Sequence, residues 1–456
     1  MHQADSMSPL ERRAAISLAM VFAFRMLGLF MVLPVLATYG QGLSGATPVL
    51  IGMAIGCYGL TQAFLQIPFG MLSDRIGRKP VILFGLLLFA LGGLVAAQAD
   101  SIQQVIAGRV LQGAGAIAAA VMALVADLTQ EQNRTKAMAM IGMSIGSAFA
   151  VAMVAGPVIA GMAGLHGVFL STSALAVIGM LLVVFCVPTP QTSLRHREAG
   201  VVRAAFMPAL RNADLLRLNY GIASLHAILM ATFIAVPLAL QQHAHLPKEE
   251  HWWVYLAALL ISFFGMVPFI IYAEKQRQMK RVVLGAIALL LVVQPMFWLS
   301  MDSLPWLVTT IVLFFVGFNL LEATLPSLLS KIAPAGGKGT AMGVYSTSQF
   351  AGAAVGGVMG GWIFGNFGLL GVFAGCGLLA LSWLVIGVTM NEPPYVTSYR
   401  LTLTPAQAQD ASLSDNLLAV PGVAEAFIVA EEVAAYIKVD SKELDREALD
   451  RVVAPV

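Results

Sequence analysis

Twelve long runs of apolar residues alternate with short polar connections along this chain of 456 residues. Each run has about 20 residues or more, the length at which an α-helix crosses ~30 Å of hydrocarbon. The pattern therefore predicts an all-α membrane protein with twelve spans. The predicted spans are 14–38, 47–71, 80–98, 104–127, 136–162, 167–188, 215–240, 252–273, 282–300, 304–330, 339–363 and 369–390.

The connections between the spans alternate in charge. Nearly all their lysines and arginines fall on one side of the predicted membrane, whereas the opposite connections contain Lys248 and almost no other basic residue. Because cytoplasmic loops carry the excess of basic residues, both termini are expected in the cytoplasm.

The two groups of six spans resemble each other. The longest connection, from Pro188 to Asp214, separates them, and Lys136-Ala-Met138 in the fifth span is echoed by Thr340-Ala-Met342 in the eleventh. Two parallel six-helix halves predict a transporter whose site lies between them. The predicted divisions are a cytoplasmic tail (1–13), a first half (14–188), a cytoplasmic linker (189–214), a second half (215–392) and a cytoplasmic domain (393–456).

The composition changes after Glu392-Pro-Pro394. Strand-like and helix-like segments follow in the order β-α-β-β-α, with one helix expected over 411–420, which predicts a small α+β, ferredoxin-like domain. This domain is acidic and the cytoplasmic loops are basic, so docking of the domain on those loops is a reasonable hypothesis. A solvated domain on a tether is the alternative.

Composition excludes several classes of protein. With 59% hydrophobic and only 11% charged residues, the chain has too few charged residues to form the surface of a soluble protein of this size. A net charge of +2 argues against nucleic acid as a partner. Cys57, Cys186 and Cys376 lack metal-ligand spacing, and no nucleotide-binding loop or hydrolase triad is present, so we expect no metal, no cofactor and no enzymatic activity.

A charged turn connects the second and third spans. It reads Gly70-Met-Leu-Ser-Asp74-Arg75-Ile-Gly77-Arg78-Lys79 and resembles the signature G-x-x-x-D-R-x-G-R-[RK] of the major facilitator superfamily. The resemblance implies a latch that holds the two halves together in the outward-facing state, with Asp74 near the start of the eleventh span at Gly339. Asp127, which closes the fourth span, is a candidate partner of Arg78. A purely topological role for these charges is the alternative.

Two further motifs support this resemblance. Arg109-Val-Leu-Gln112-Gly113 is similar to the family's R-x-x-Q-G, and Ala152-Met-Val-Ala-Gly156-Pro157-Val-Ile-Ala160-Gly161 is similar to the antiporter motif G-x-x-x-G-P-x-x-G-G. The second departs from the motif at Ala152 and Ala160, which weakens the inference of antiport. A bonded structural arginine and small residues for helix packing are the respective structural interpretations.

Polar residues inside the spans are candidates for the transport site, because they are costly in hydrocarbon. Glu322 is the only carboxylate well inside a span, so it is the first candidate for proton coupling and His226 is the second. A permanent ion pair for Glu322 and a packing role for His226 are the alternatives. Several drug antiporters carry an acid in the first span, where this chain has Arg25. The cavity candidates are Arg25, Tyr58, Gln62, Gln66, Arg109, Gln112, Asn319, Tyr345 and Gln349.

Taken over nearly its full length, the chain is identified as a drug-antiporter-like member of the major facilitator superfamily with a C-terminal cytoplasmic domain. The resemblance implies proton-coupled export of small amphipathic molecules by alternating access, in a monomer in a bacterial inner membrane. The partners would be the substrate, protons and the lipid bilayer. The alternatives are an uncoupled facilitator or metabolite carrier, and a membrane sensor that signals through its C-terminal domain.

Overall fold

A computed structural model describes residues 7–189, 203–335, 337–410, 412–440 and 442–453. Half of the predicted linker 189–214, residues 190–202, lies outside these residues. The helices are α1 (Pro9–Phe30), α2 (Leu33–Tyr39), α3 (Pro48–Ile76), α4 (Arg78–Ala97), α5 (Ile102–Ala114), α6 (Ala118–Leu128), α7 (Glu131–Phe185), α8 (Arg203–Arg211), α9 (Ala213–Gln242), α10 (His251–Lys275), α11 (Met279–Ser300), α12 (Leu304–Ile332), α13 (Lys338–Val388), α14 (Pro405–Gln409), α15 (Leu413–Leu418) and α16 (Arg446–Val453).

The first helix begins at Pro9, inside the predicted tail 1–13. Its start is fixed by a capping box, in which the Ser8 hydroxyl accepts from the Glu11 N–H at 3.2 Å and the Glu11 carboxylate accepts from the Ser8 N–H at 2.8 Å. Two backbone donors that a helix start would leave unpaired are satisfied in this way.

In the described residues, ten helical stretches are long and apolar enough to cross a membrane, and two of them reverse direction halfway. In α7 the backbone at Gly164 has φ +61° and ψ −163°, a conformation close to a region that is essentially restricted to glycine. Before this point Gly156 lies against Met31 of α1, and after it Ser173 donates to the Ala90 carbonyl of α4.

The last long helix repeats this arrangement. In α13 the reversal is at Gly368, with φ +64° and ψ −160°. Its first part runs alongside α9, since Gly352 and Gly356 pack on the backbone at Ala223 and Ala227. Its second part returns, so that Thr389 again meets α9 near its start, at Arg217. Ten stretches therefore provide the twelve predicted spans, with α1 and α2 forming the first and α5 and α6 forming the fourth.

The two halves approach each other most closely along α3 and α13. A Cβ at Gly52 or Gly56 would collide with the backbone of α13 at Gly357 or Ala354. Small residues permit such close contact between helices in a membrane. These contacts belong to the part of α3 near Pro48, which lies far from the charged turn at its other end. We call the end of the bundle that carries residues 70–79 and 274–281 the basic end.

Phenylalanine rings join the halves between these glycine contacts and the basic end. Phe149 of α7 lies 5.0 Å from Phe30 of α1, between ring centroids, and 6.1 and 6.2 Å from Phe315 and Phe318 of α12. These aromatic contacts cross from the first half to the second. They place a packed apolar layer next to the C-terminal part of α12.

The C-terminal domain has the predicted ferredoxin-like order. Strands β1 (Thr397–Thr402), β2 (Val423–Val429) and β3 (Ala434–Val439) form an antiparallel sheet in the order β1-β3-β2. The helix expected over 411–420 is present as the shorter α15, and an additional short helix, α14, precedes it. The Asp410 carboxylate accepts from both the N–H and the hydroxyl of Ser412, a turn that competes with helix continuation.

This domain contacts the second half of the membrane bundle at the basic end. Arg277 donates to Asp440 at 2.8 Å, and the Lys438 ammonium donates to the carbonyl of Lys331 at 2.9 Å. Glu425 accepts from the N–H of Ala335 at 3.0 Å. The domain therefore bridges the loop between α10 and α11 and the loop between α12 and α13.

Candidate functional site

The charged turn at the end of α3 is organised around Arg78. Gly77 has φ +99° and ψ 153°, which few other residues can adopt, and this conformation starts α4 directly at Arg78. The buried guanidinium then donates to Asp74, to the Ser73 hydroxyl at 2.7 Å and to Asp127 of α6 at 3.3 Å. Three helices are joined at the basic end by one cation.

The remaining predicted latch residues are peripheral here. Lys79 donates to the Thr189 hydroxyl at 3.2 Å, and Arg75 is exposed. Gly70 packs near Ala119 of α6. Within the described residues Asp74 is bonded to Arg78 and to no residue of α13, so its predicted approach to Gly339 in the outward-facing state stays a prediction.

The interior of the first half holds two buried arginines. Arg25 donates to the Tyr58 hydroxyl at 2.8 Å, to Gln62 at 2.8 Å and to the Gly115 carbonyl at 3.1 Å. Arg109 donates to the carbonyl of Ala54 at 3.2 Å, and its guanidinium lies 4.9 Å from the centre of the Tyr58 ring. Both side chains are fully buried.

Neutral groups hold these two cations. Arg109 also donates to Gln112 at 3.1 Å, and Gln112 donates to Thr172 at 3.1 Å. Among the described residues no carboxylate contacts either guanidinium, and the bonds to backbone carbonyls agree with the structural interpretation of these arginines.

Where the interior of the first half holds two arginines, the second half holds a carboxylate, Glu322. Glu322 of α12 lies one helical turn after Phe318, and its Oε2 is 3.8 Å from Nε2 of His226 in α9. The amide nitrogen of Gln349 in α13 lies 2.8 Å from Nε2 of His226 and 3.3 Å from Oε1 of Glu322. The Glu322 side chain is 38% exposed although it lies within a span. Three of the predicted residues, from three helices, thus form one cluster.

The other predicted cavity residues are placed elsewhere. Asn319 donates to Ser262 of α10 at 2.9 Å rather than to Glu322. The buried Gln66 belongs to the first half, and Tyr345 faces Glu322 from α13. Sequence reasoning missed the ring of Phe318, which lies 6.0 Å from the His226 ring. The spacing of four residues between Phe318 and Glu322 places both on one helix face and could have indicated it.

The antiporter motif lies where α7 crosses the first span. Gly156 touches the backbone at Met31, so no side chain could be accommodated there, and Pro157 follows within the helix. Gly161 lies near Glu249, in the segment before α10. The small residues of this motif permit close packing in this structure.

Comparisons with known proteins agree with this fold. The model of the Major Facilitator Superfamily matches residues 18–357, and that of the YajR YAM domain matches residues 399–454. The chain is 53% identical to the inner membrane transport protein YajR of Escherichia coli over 98% of each chain. The multidrug resistance protein MdtH of Escherichia coli is 24% identical over 78% of this chain and 90% of that protein.

This chain belongs to the major facilitator superfamily. It is a multi-pass inner-membrane protein of a family of transporters rather than enzymes. Solved structures share its fold: the nucleoside transporter NupG, with a TM-score of 0.67 over 83% of this chain and 99% of that one at 14% identity, and the human organic anion transporter MFSD10, with 0.60 over 83% and 100% at 18% identity.

Proposed function

We propose that this transporter exports small amphipathic molecules in exchange for protons, and that Glu322 carries the proton. The observation that carries the proposal is the cluster of Glu322, Gln349 and His226. An ionisable residue inside a span is a candidate for function, because an unpaired charge in hydrocarbon is expensive. In the described residues Glu322 is the one carboxylate well inside a membrane helix.

The surroundings of Glu322 suit alternating access. The contacts of Phe149 with α12 lie between Glu322 and the glycine contacts of α3 with α13. The Glu322 side chain itself is partly exposed. If rocking of the two halves opens the aromatic layer and closes the basic end, the carboxylate meets water first on one side and then on the other.

Two observations support an amphipathic substrate. A groove near the basic end is lined by Ile16, Met20 and Ala23 of α1 and by Met140 and Met143 of α7. Methionine side chains are flexible and adapt to varied apolar shapes. Among the relatives, MdtH is named a multidrug resistance protein.

An uncoupled facilitator is the second candidate, and one observation favours it. The first half holds Arg25 and Arg109 on neutral partners, without an acid in the first span. A transporter whose proton carrier lies in the second half alone differs in this respect from the drug antiporters that it resembles.

Uptake of ethidium into proteoliposomes tests the proposal. With an inside-acidic pH gradient the native protein should accumulate the dye, and Glu322→Gln should abolish gradient-driven accumulation while gradient-free exchange continues. Glu250→Gln removes an exposed carboxylate and serves as the matched control. Accumulation at the native rate in Glu322→Gln would exclude Glu322 as the essential carrier, and equal uptake with and without a gradient would favour the facilitator.

A further inference from the structure

The amide of Gln349 lies between two titratable groups, His226 and Glu322, and is within hydrogen-bonding distance of both. Nδ1 of His226 lies 3.2 Å from the carbonyl oxygen of Ile222, which can only accept. The ring proton therefore resides on Nδ1, and Nε2 carries a lone pair. This lone pair accepts from the Gln349 NH2 group at 2.8 Å.

The same NH2 group faces Glu322. An ionised carboxylate can only accept hydrogen bonds, and Gln349 offers it the second N–H at 3.3 Å. This arrangement suits an ionised Glu322 beside a neutral His226. Both hydrogens of one amide nitrogen are used, so the amide cannot rotate without breaking both bonds.

We propose that Gln349 transmits the charge state of Glu322 to Nε2 of His226, a role that rests on the proposed function of Glu322 as proton carrier. A protonated Glu322 needs an acceptor, which the amide supplies when it turns its Oε1 toward the carboxyl group. The oxygen then also faces Nε2 of His226, which must become a donor. The two groups therefore take up protons together from cavity water and release them together.

Among the described side chains near Glu322, the amide of Gln349 provides the main hydrogen-bonded link to His226. The titratable groups that face Glu322 among the described residues are His226 of α9 and Tyr345 of α13. From α10 comes Ser262, which accepts from Asn319, and α11 packs on α12 through Ala286 and Leu290. The rival explanation is direct: Oε2 of Glu322 lies 3.8 Å from Nε2 of His226 and could act without the amide.

Carbethoxylation of His226 by diethyl pyrocarbonate measures the state of Nε2 without a transport substrate. The reagent reacts with an unprotonated imidazole nitrogen, and mass spectrometry of the purified full-length protein gives the rate at each histidine. In the native protein the lone pair is occupied by Gln349. Gln349→Met keeps the volume of the side chain and removes both donors, so labelling of His226 should become several-fold faster. Gln294→Met is the matched control, because Gln294 donates only to Leu290 in its own helix.

A double-mutant cycle separates the relay from direct contact. Glu322→Gln mimics the protonated carboxyl group, because its amide offers a donor to Gln349. By the relay, Gln349 then turns its Oε1 toward Nε2 of His226, which becomes protonated, so labelling of His226 should slow when Gln349 is present. In the Gln349→Met background the same change should not slow labelling. Acceleration or an equal change in both backgrounds, or native labelling in Gln349→Met, would overturn the relay.

Two internal references keep the result interpretable. Faster labelling at the buried His251 would report unfolding, and His243, which lies near the surface, reports reagent activity. The ethidium assay is independent of this cycle. Loss of gradient-driven uptake in Glu322→Gln together with additive labelling rates would retain the proton carrier and reject the role of Gln349.

Discussion

Two turns at the basic end occupy equivalent places in the two halves but have different partners. In the first, Gly77 takes a positive φ of +99° and the next residue, Arg78, points inward to Asp127. In the second, Arg277 itself takes a positive φ of +53° and points away from the bundle to Asp440 of the C-terminal domain. In the first turn the residue after the glycine, Arg78, therefore joins the membrane helices to each other. In the second turn Arg277 joins the helical bundle to the C-terminal domain.

The neighbouring ion pairs also differ in sign. In the first half a cation on α4 meets an acid on α6, through Arg78 and Asp127. In the second half an acid on α10 meets a cation on α12, through Glu274 and Lys331 at 2.8 Å. The first pair is buried and the second is partly exposed, so we expect the first turn to contribute much more to stability.

The largest effect is expected from Arg78→Ala. Its removal takes a cation away from the Asp127 side chain, which has no exposed surface. Breaking a buried pair in this way costs about 3–5 kcal/mol. Thermal denaturation of the purified protein should show a strongly lowered melting temperature, and Arg75→Ala, at the exposed arginine of the same turn, should leave it unchanged. Equal stability of the two variants would remove the distinction between the turns.

Asp74→Asn tests transport rather than stability. Asp74 is one-third exposed and bonded to Arg78, so its neutralisation should leave insertion and folding intact. If Asp74 also stabilises the outward-facing state at the start of α13, uptake of ethidium should fall by about 5- to 150-fold, the usual range for coupling between sites. Unchanged uptake would leave these charges a topological role alone.

How far the sequence predicts this molecule depends on the kind of signal. Twelve spans follow from hydrophobic length, and the motif around Gly77 identifies the turn. The reversals at Gly164 and Gly368 also fall within the predicted gaps between spans, at 163–166 and 364–368. The partners of Arg277 could not be predicted, since Asp440 lies 163 residues away and only the packed domain brings it there.

The site shows the same limit. The polarity of Glu322 and His226 inside spans predicted their importance, and the structure brings both together with Gln349. Asn319, a cavity candidate three residues before Glu322, instead donates to Ser262 of α10. Contacts between helices depend on rotation and depth, which hydrophobic periodicity alone does not fix.

Gly77→Ala should have an intermediate effect. A side chain at φ +99° and ψ 153° is strained whatever the space around it, at a cost of about 1–3 kcal/mol. Gly285→Ala is the matched control, because Gly285 is helical and a Cβ there would meet nothing within 4 Å. The first variant should lower the melting temperature, and the second should leave it unchanged or raise it slightly. Equal melting temperatures would mean that the first turn does not depend on its glycine.

The smallest effect is expected at the second turn, from Arg277→Ala. The bond to Arg277 lowers the pKa of Asp440, followed by the bond from the Lys442 N–H. Because the folded pKa is depressed, this contribution to docking is complete above the ordinary pKa of an aspartate and is lost as the pH falls through the depressed value. The pair is partly exposed, so its contribution should be small and should weaken with salt. Hydrogen exchange of β3 in the intact protein measures docking, since Lys438 of this strand donates to the carbonyl of Lys331. The protection factor of native β3 should fall at high salt or below about pH 4. Arg277→Ala should have the lower protection factor at neutral pH and low salt, and the two proteins should become alike at low pH. Lys442→Ala keeps the backbone N–H that Asp440 accepts and is the control. Identical exchange in the native protein and Arg277→Ala would show that the second turn does not hold the domain through this pair.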